Sequence, residues 1–142
     1  MRGRRLESDE DLQELLRTVR TLAVAGLSPH PHRDSHRVAA YLQAAGYRII
    51  PVHPAGGEIL GETVHPGLDA IPRDEEVDLV NVFRRPDALP SLVSPVVEIG
   101  PRAVWLQLGV THPEAEEALL DAGMDLVVNR CMLVEHRRLA EG

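Results

Sequence analysis

The sequence predicts a doubly wound α/β domain: about five short parallel strands in one sheet, with helices on both faces, in three layers. Three observations predict it. Short, nearly all-apolar runs alternate with stretches of helical periodicity. Most of these segments close on a glycine. The length, 142 residues, suits one domain around one core, spanning 1–142.

The elements follow in order. Ser8 and Asp11 form a capping box ahead of Leu12, Leu15, Leu16 and Val19, which share one helical face. Thr21–Ala25 is a buried strand closed by Gly26. Residues 27–34 hold two prolines and no periodicity, which makes them a loop. Ser35 or Asp34 is the expected cap of the next helix, whose apolar face is Val38, Tyr41, Leu42 and Ala45. Arg48–Val52 is a second strand, and Pro51 inside it implies an edge or one missing ladder bond. A short extended piece over 58–61 and a helical turn over 68–71 interrupt the loop that follows. Residues 77–83 form the third strand. Leu89, Leu92, Val93 and Val96 have helical spacing, but Pro90 and Pro95 predict a short or kinked helix. Residues 103–108 form the fourth strand, ending at Gly109. Thr111 and Glu114 form a second capping-box candidate, with Pro113 in the first turn. Asp125–Val128 is the fifth strand, and residues 132–138 are a final helix.

In such sheets ligands bind beyond the carboxyl ends of the strands, at the topological switch point. Those ends are Gly26, His53, Phe83, Gly109 and Asn129. A Rossmann-like order is assumed, with the first and fourth strands side by side.

Composition excludes several functions. The net charge is −7, so a general nucleic-acid partner is not expected. All 15 cations are arginines, and the absence of lysine removes Walker-type phosphoryl transfer and Schiff-base chemistry. No segment approaches the roughly 20 apolar residues of a membrane span. The single cysteine, Cys131, and the charged N-terminal residues fit a cytoplasmic protein. Monomer and homodimer are both open.

The turn Gly26-Leu-Ser-Pro-His-Pro-His-Arg-Asp-Ser35 has the parts of a phosphate cradle. Gly26 permits close backbone approach, Ser28 offers a hydroxyl, Arg33 a planar fork, and the following helix a positive dipole end. The same residues also suit a plain polar loop in which Gly26 serves only the turn. The dinucleotide fingerprint is not met: the second and third glycines are missing, and His53-Pro54 stands where an acid would contact the ribose.

Together, Ala23-Val-Ala-Gly-Leu-Ser28 with Arg33, Gly46-Tyr-Arg-Ile-Ile-Pro-Val-His-Pro54, Ile59-Leu-Gly61, Val80-Asn-Val-Phe-Arg-Arg-Pro86, Val104-Trp-Leu-Gln-Leu-Gly109 and Asn129-Arg-Cys-Met-Leu-Val-Glu-His136 resemble the stand-alone coenzyme A-binding domain family. That family is related to the nucleotide-binding domain of succinyl-CoA synthetase α subunits. The resemblance covers nearly the whole chain and implies a Rossmann-like fold with coenzyme A as ligand. It implies that Gly26, Leu27, Ser28, Pro29 and Arg33, with Ser35 on the helix, hold the diphosphate. Val52, His53 and Pro54 would flank the adenosine, Phe83 and Arg84 would line the cleft, and Gln107 and Gly109 would border its far side. His53 departs from the asparagine common in relatives. The chain is too short for the other ligase domains, so binding without catalysis is the leading expectation. A small NAD(P)-dependent oxidoreductase, a CoA-thiol redox protein using Cys131, and a regulatory subunit of a separately encoded acyl-CoA ligase are the alternatives.

Cys131 follows the fifth strand. With strands roughly 4.8 Å apart, an extended pantetheine arm could cross the sheet toward it and pair with its thiol. A buried structural cysteine is the alternative. His30, His32 and His36 are close in sequence but separated by prolines, and no metal site is expected. Glu135 and His136 are read either as an acid/base pair or as a solvent-facing edge.

Overall fold

A computed structural model describes residues 1–140. Residues 141 and 142 of the expected domain lie outside the described residues. The elements are α1 (Asp9–Thr18), β1 (Thr21–Ala25), α2 (Asp34–Ala44), β2 (Arg48–Val52), β3 (Glu58–Ile59), β4 (Glu62–Thr63), β5 (Leu79–Val82), α3 (Leu89–Ile99), β6 (Ala103–Leu106), α4 (Pro113–Asp121), β7 (Asp125–Val128) and α5 (Met132–Ala140). The main sheet is parallel throughout, in the order β2-β1-β5-β6-β7. The doubly wound class is as expected, but the assumed neighbourhood is corrected. The fourth strand of this sheet, β6, does not touch β1. The chain makes one excursion to β2 and then crosses back over β1, so the free side of β1 is taken by the next strand, β5.

Strand alternation divides the core in two. Leu22 and Val24 point into one cluster with Leu12, Leu15, Leu42 and Trp105, under α1, α2 and α5. Ala23 and Ala25 point into the other, with Val80, Leu106, Leu89 and Leu119, under α3 and α4. Because each β1 face is covered, its five residues carry no exposed apolar position, which is why the run reads as continuous hydrophobics.

Both sheet edges are protected. Pro51 is on edge strand β2, as its residue type requires. Val52 O accepts from Gly26 N–H at 2.9 Å on the β1 side, and Pro51 O accepts from His65 N–H at 3.0 Å on the outer side. The Pro51 nitrogen therefore faces outward, and its missing hydrogen removes no bond to β1. At the other edge the N-terminal segment lies along β7: Leu6 N–H donates to Leu126 O (2.8 Å) and Leu126 N–H to Arg4 O (2.9 Å). The extended piece over 58–61 is one strand and the turn of a small hairpin, β3-β4, in which Leu60 (φ 55°) and Gly61 (φ 78°) form the turn.

Three local expectations are corrected. α3 is not short: it runs through Pro95 for 11 residues after a 3₁₀ turn over Pro86–Ala88. Pro90 sits in the first turn, where no helical donor is needed, and Pro95 deprives only the carbonyl of exposed Ser91. The cap of α4 is His112 rather than Thr111. Its Nδ1 accepts from Ala115 N–H (3.2 Å), and Glu116 accepts from His112 N–H (2.8 Å). Pro113 at the first helical position fixes the cap one residue later than the Thr111 pattern implied. Glu135 and His136 are neither an acid/base pair nor a solvent edge. Glu135 is buried and accepts from Arg130 (3.0 Å) and Arg138 (2.8 Å). His136 bonds the Tyr41 hydroxyl at 2.9 Å and packs edge-on against Tyr41 and Tyr47, joining α5 to α2. No helix among the described residues is long and apolar enough to cross a membrane.

Burial holds the His136 imidazole below its ordinary pKa. The unfolded chain then binds the proton more readily, so this contribution to stability is full above the ordinary histidine value, about 6.5. It is lost as pH falls through that value toward the depressed one. The urea midpoint should drop between pH 7 and pH 5, and His136→Gln should flatten that drop; an identical slope in both proteins would refute the assignment.

Candidate functional site

The carboxyl ends of β2, β1, β5 and β6 and the start of α5 surround one open cleft of about 1080 Å³. Most expected site residues meet there: Gly26, Ser28, Pro29, Arg33 and Ser35 from the first turn, His53 from β2, Phe83 and Arg84 from β5, Gln107 and Gly109 from β6, and Cys131 ahead of α5. Three do not line it. Leu27 and Val52 are buried in opposite core clusters, leaving only backbone near the cleft, and Pro54 is exposed outside it.

The turn after β1 folds on itself. Ser28 N–H donates to Ser35 Oγ (3.0 Å), Ser28 Oγ accepts from His30 N–H (3.1 Å), and Ser28 O bonds His36 Nδ1 (2.9 Å). Ser35 thus clasps the loop instead of capping α2. The cap position is Arg33, correcting the expectation of Ser35 or Asp34, and no side chain caps the helix. Its first N–H groups and its positive dipole end open onto the cleft.

Gly26 has a structural reason of its own. It sits at φ 86°, and a Cβ there would stand 2.1 Å from Phe83 O. Phe83 N–H in turn donates to Ala25 O at 2.8 Å. The glycine is demanded by the meeting of two strand ends, whether or not a ligand is present.

Charge in the cleft is opposite to that of the whole chain. Arg33, Arg37, Arg84 and Arg85 line it against one carboxylate, Asp34. Asp34 is paired with Arg37, and Arg85 lies 3.6 Å from Asp87. Among the described residues Arg33 and Arg84 have no acidic partner. Arg37 escaped sequence reasoning, although it stands one helical turn after Arg33 and so shares its face. His30 and His32 lie 5.7 Å apart but His36 turns to the loop, and no group of three metal-ligating residues forms among the described residues.

The far side is held from β6. Gln107 is buried; its Nε2 donates to Asn81 Oδ1 (2.6 Å) and its Oε1 accepts from Met132 N–H (3.4 Å). Trp105 Nε1 donates to Arg130 O (2.8 Å), and Gly109 N–H to Asn129 Oδ1 (2.7 Å). Cys131 is therefore half-buried on a segment fixed on both sides. Asn81 Nδ2 is buried without a partner among the described residues. The Asn81 contact was legible only as one polar residue inside an apolar strand.

A family model described as CoA binding domain matches residues 20–137. The chain belongs to this CoA-binding domain family. YneT of Bacillus subtilis (strain 168) is 37% identical over 129 residues, covering 91% of this chain and 94% of YneT. A solved Thermus thermophilus protein is 41% identical with a TM-score of 0.89, covering 94% of this chain and 99% of its own. A hypothetical protein from Pyrococcus horikoshii OT3 is 34% identical with a TM-score of 0.90, covering 99% of both chains. The family match, over residues 20–137, spans every turn that lines the cleft.

Replacing Gly26 by alanine should destabilise the domain by about 2 kcal/mol or more, since both the left-handed backbone and the Phe83 carbonyl oppose a Cβ. Gly109→Ala, at φ 78° with nothing within 4 Å, should cost about 1 kcal/mol. Urea denaturation of the two variants checks the order; equal losses would remove the role assigned to Phe83 O.

Proposed function

We propose that the protein binds coenzyme A or an acyl-CoA in this cleft and catalyses no reaction of its own. The family match suggests CoA binding. The observation that carries the finer reading is the start of α2, an uncapped helix end with Arg33 at its cap position and Arg84 on the adjoining turn, neither paired to an acid. Unpaired N–H groups and planar guanidinium forks are the donors a diphosphate needs, and a cleft with four arginines and one carboxylate attracts it to an otherwise acidic protein. In this reading the diphosphate rests on the turn 26–35, the adenosine lies toward His53, and the pantetheine arm passes Phe83 and Arg84 toward Gln107 and Gly109.

Calorimetric titration should give tighter binding of CoA than of NADH or NADPH, weakening with salt. Arg33→Ala should lower CoA affinity about tenfold or more, the size of one lost charge-assisted hydrogen bond. A preference for a nicotinamide cofactor would overturn the proposal.

One observation favours a thiol reaction beside simple binding: Cys131 lines the same cleft, at the start of α5. A Cys131 thiolate attacking CoA disulfide would form a protein–CoA mixed disulfide and release one CoA thiolate. Intact-mass measurement should find this adduct forming faster than the glutathione adduct from glutathione disulfide at equal concentration, and reversing with dithiothreitol. Equal rates would mean that the cleft contributes nothing to the reaction.

A further inference from the structure

We infer that the β6–α5 end of the cleft is an acyl site, so that the preferred ligand is a CoA thioester of a short apolar acid rather than free CoA. This rests on the CoA reading above and deepens it. Leu108 and Val134 are 65% and 52% exposed. Among the described residues the exposed large hydrophobics are these two, Met1 and Val97, and these two line the same cleft. Leu133, half-buried, and Val110, largely buried, also line the cleft. A single exposed aliphatic needs no explanation, but a pair inside a ligand cleft marks surface that is covered on binding.

The charge distribution agrees. The cleft's arginines come from α2 and from the turn after β5, whereas its lining residues from β6 onward carry no charge. Arg130 and Glu135, which share a neighbouring depression with Leu108 and Val134, pair with each other at 3.0 Å. The cleft is thus cationic at one end and aliphatic at the other, the polarity of a molecule with an anionic head and an apolar tail. Sheet order sets the span. From β1 to β7 there are three strand spacings, about 14 Å, a distance an extended pantetheine arm crosses with its thioester arriving beside Leu108 and Val134. Two exposed aliphatic side chains, with half-buried Leu133 beside Val134, cover only a short acyl group.

The test compares free CoA, hexanoyl-CoA and succinyl-CoA by calorimetry on the wild-type protein and on the double variant Leu108→Ser, Val134→Ser. Both positions are exposed, so the fold is retained. Wild type should bind hexanoyl-CoA about tenfold tighter than CoA, less than full burial of the chain would give. Succinyl-CoA, whose acyl end is charged, should gain nothing. The double variant should bind hexanoyl-CoA within about twofold of its own affinity for free CoA, losing the preference. Equal wild-type affinity for CoA and hexanoyl-CoA overturns the inference and leaves the CoA reading standing, and so does a preference that survives the double substitution. A ligand-free dimer that the double variant dissolves, seen by light scattering, assigns this wall to a second copy and also overturns it. Failure of all three ligands to bind removes the CoA reading itself.

Discussion

At the end of β1 the Gly26 backbone lies where a Cβ would stand 2.1 Å from the Phe83 carbonyl oxygen. Its N–H is bonded to Val52 O, so three strand ends, those of β2, β1 and β5, are tied at one residue. The turn after β1 can leave only upward and outward, and it returns into α2 through the Ser28–Ser35 clasp. That path delivers Arg33 and the open start of α2 to the same cleft that Phe83 and Arg84 enter from the neighbouring strand. A larger residue at position 26 would separate β1 from β5 and scatter the groups that the cleft collects.

The opposite wall is built by a different device. A Cβ at its glycine, Gly109, would meet nothing within 4 Å. Side chains of β6 reach across and bond the backbone of 130–132, Trp105 to a carbonyl and Gln107 to an N–H. Such bonds hold a loop with the stiffness of the sheet beneath it, because Trp105 and Gln107 are themselves buried. Below it the Asn81 Oδ1 accepts from Gln107, while its Nδ2 is buried without a partner among the described residues, a polar cost inside the core.

Much of this was legible in the sequence, for local physical reasons. β1, β2 and β7 were readable to the residue because buried parallel strands need unbroken apolar runs ended by a turn former, and Pro51 announced the edge. The residues of the first turn were recognisable because Gly26, Ser28 and Arg33 each supply a distinct property. Strand order was not legible, since the choice of β5 rather than β6 as partner of β1 depends on which edge is free after the crossover. The N-terminal cover of β7 was hidden because residues 3–6 have no apolar alternation; their pairing with Leu126 is made by backbone groups. The helical run through Pro95 escaped because a proline's cost depends on whether the orphaned carbonyl reaches water, a tertiary property. His136 was misread because its partners, Tyr41 and Tyr47, are about 90 residues away.

The four arginines of the cleft carry a consequence for its chemistry. A guanidinium offers a planar fork of donors that matches a phosphate's oxygens, which suits it to hold an anion in place. Guanidinium groups are also poor nucleophiles, and the chain has no lysine. A reactive thioester resting in this cleft would meet no side-chain amine able to steal its acyl group.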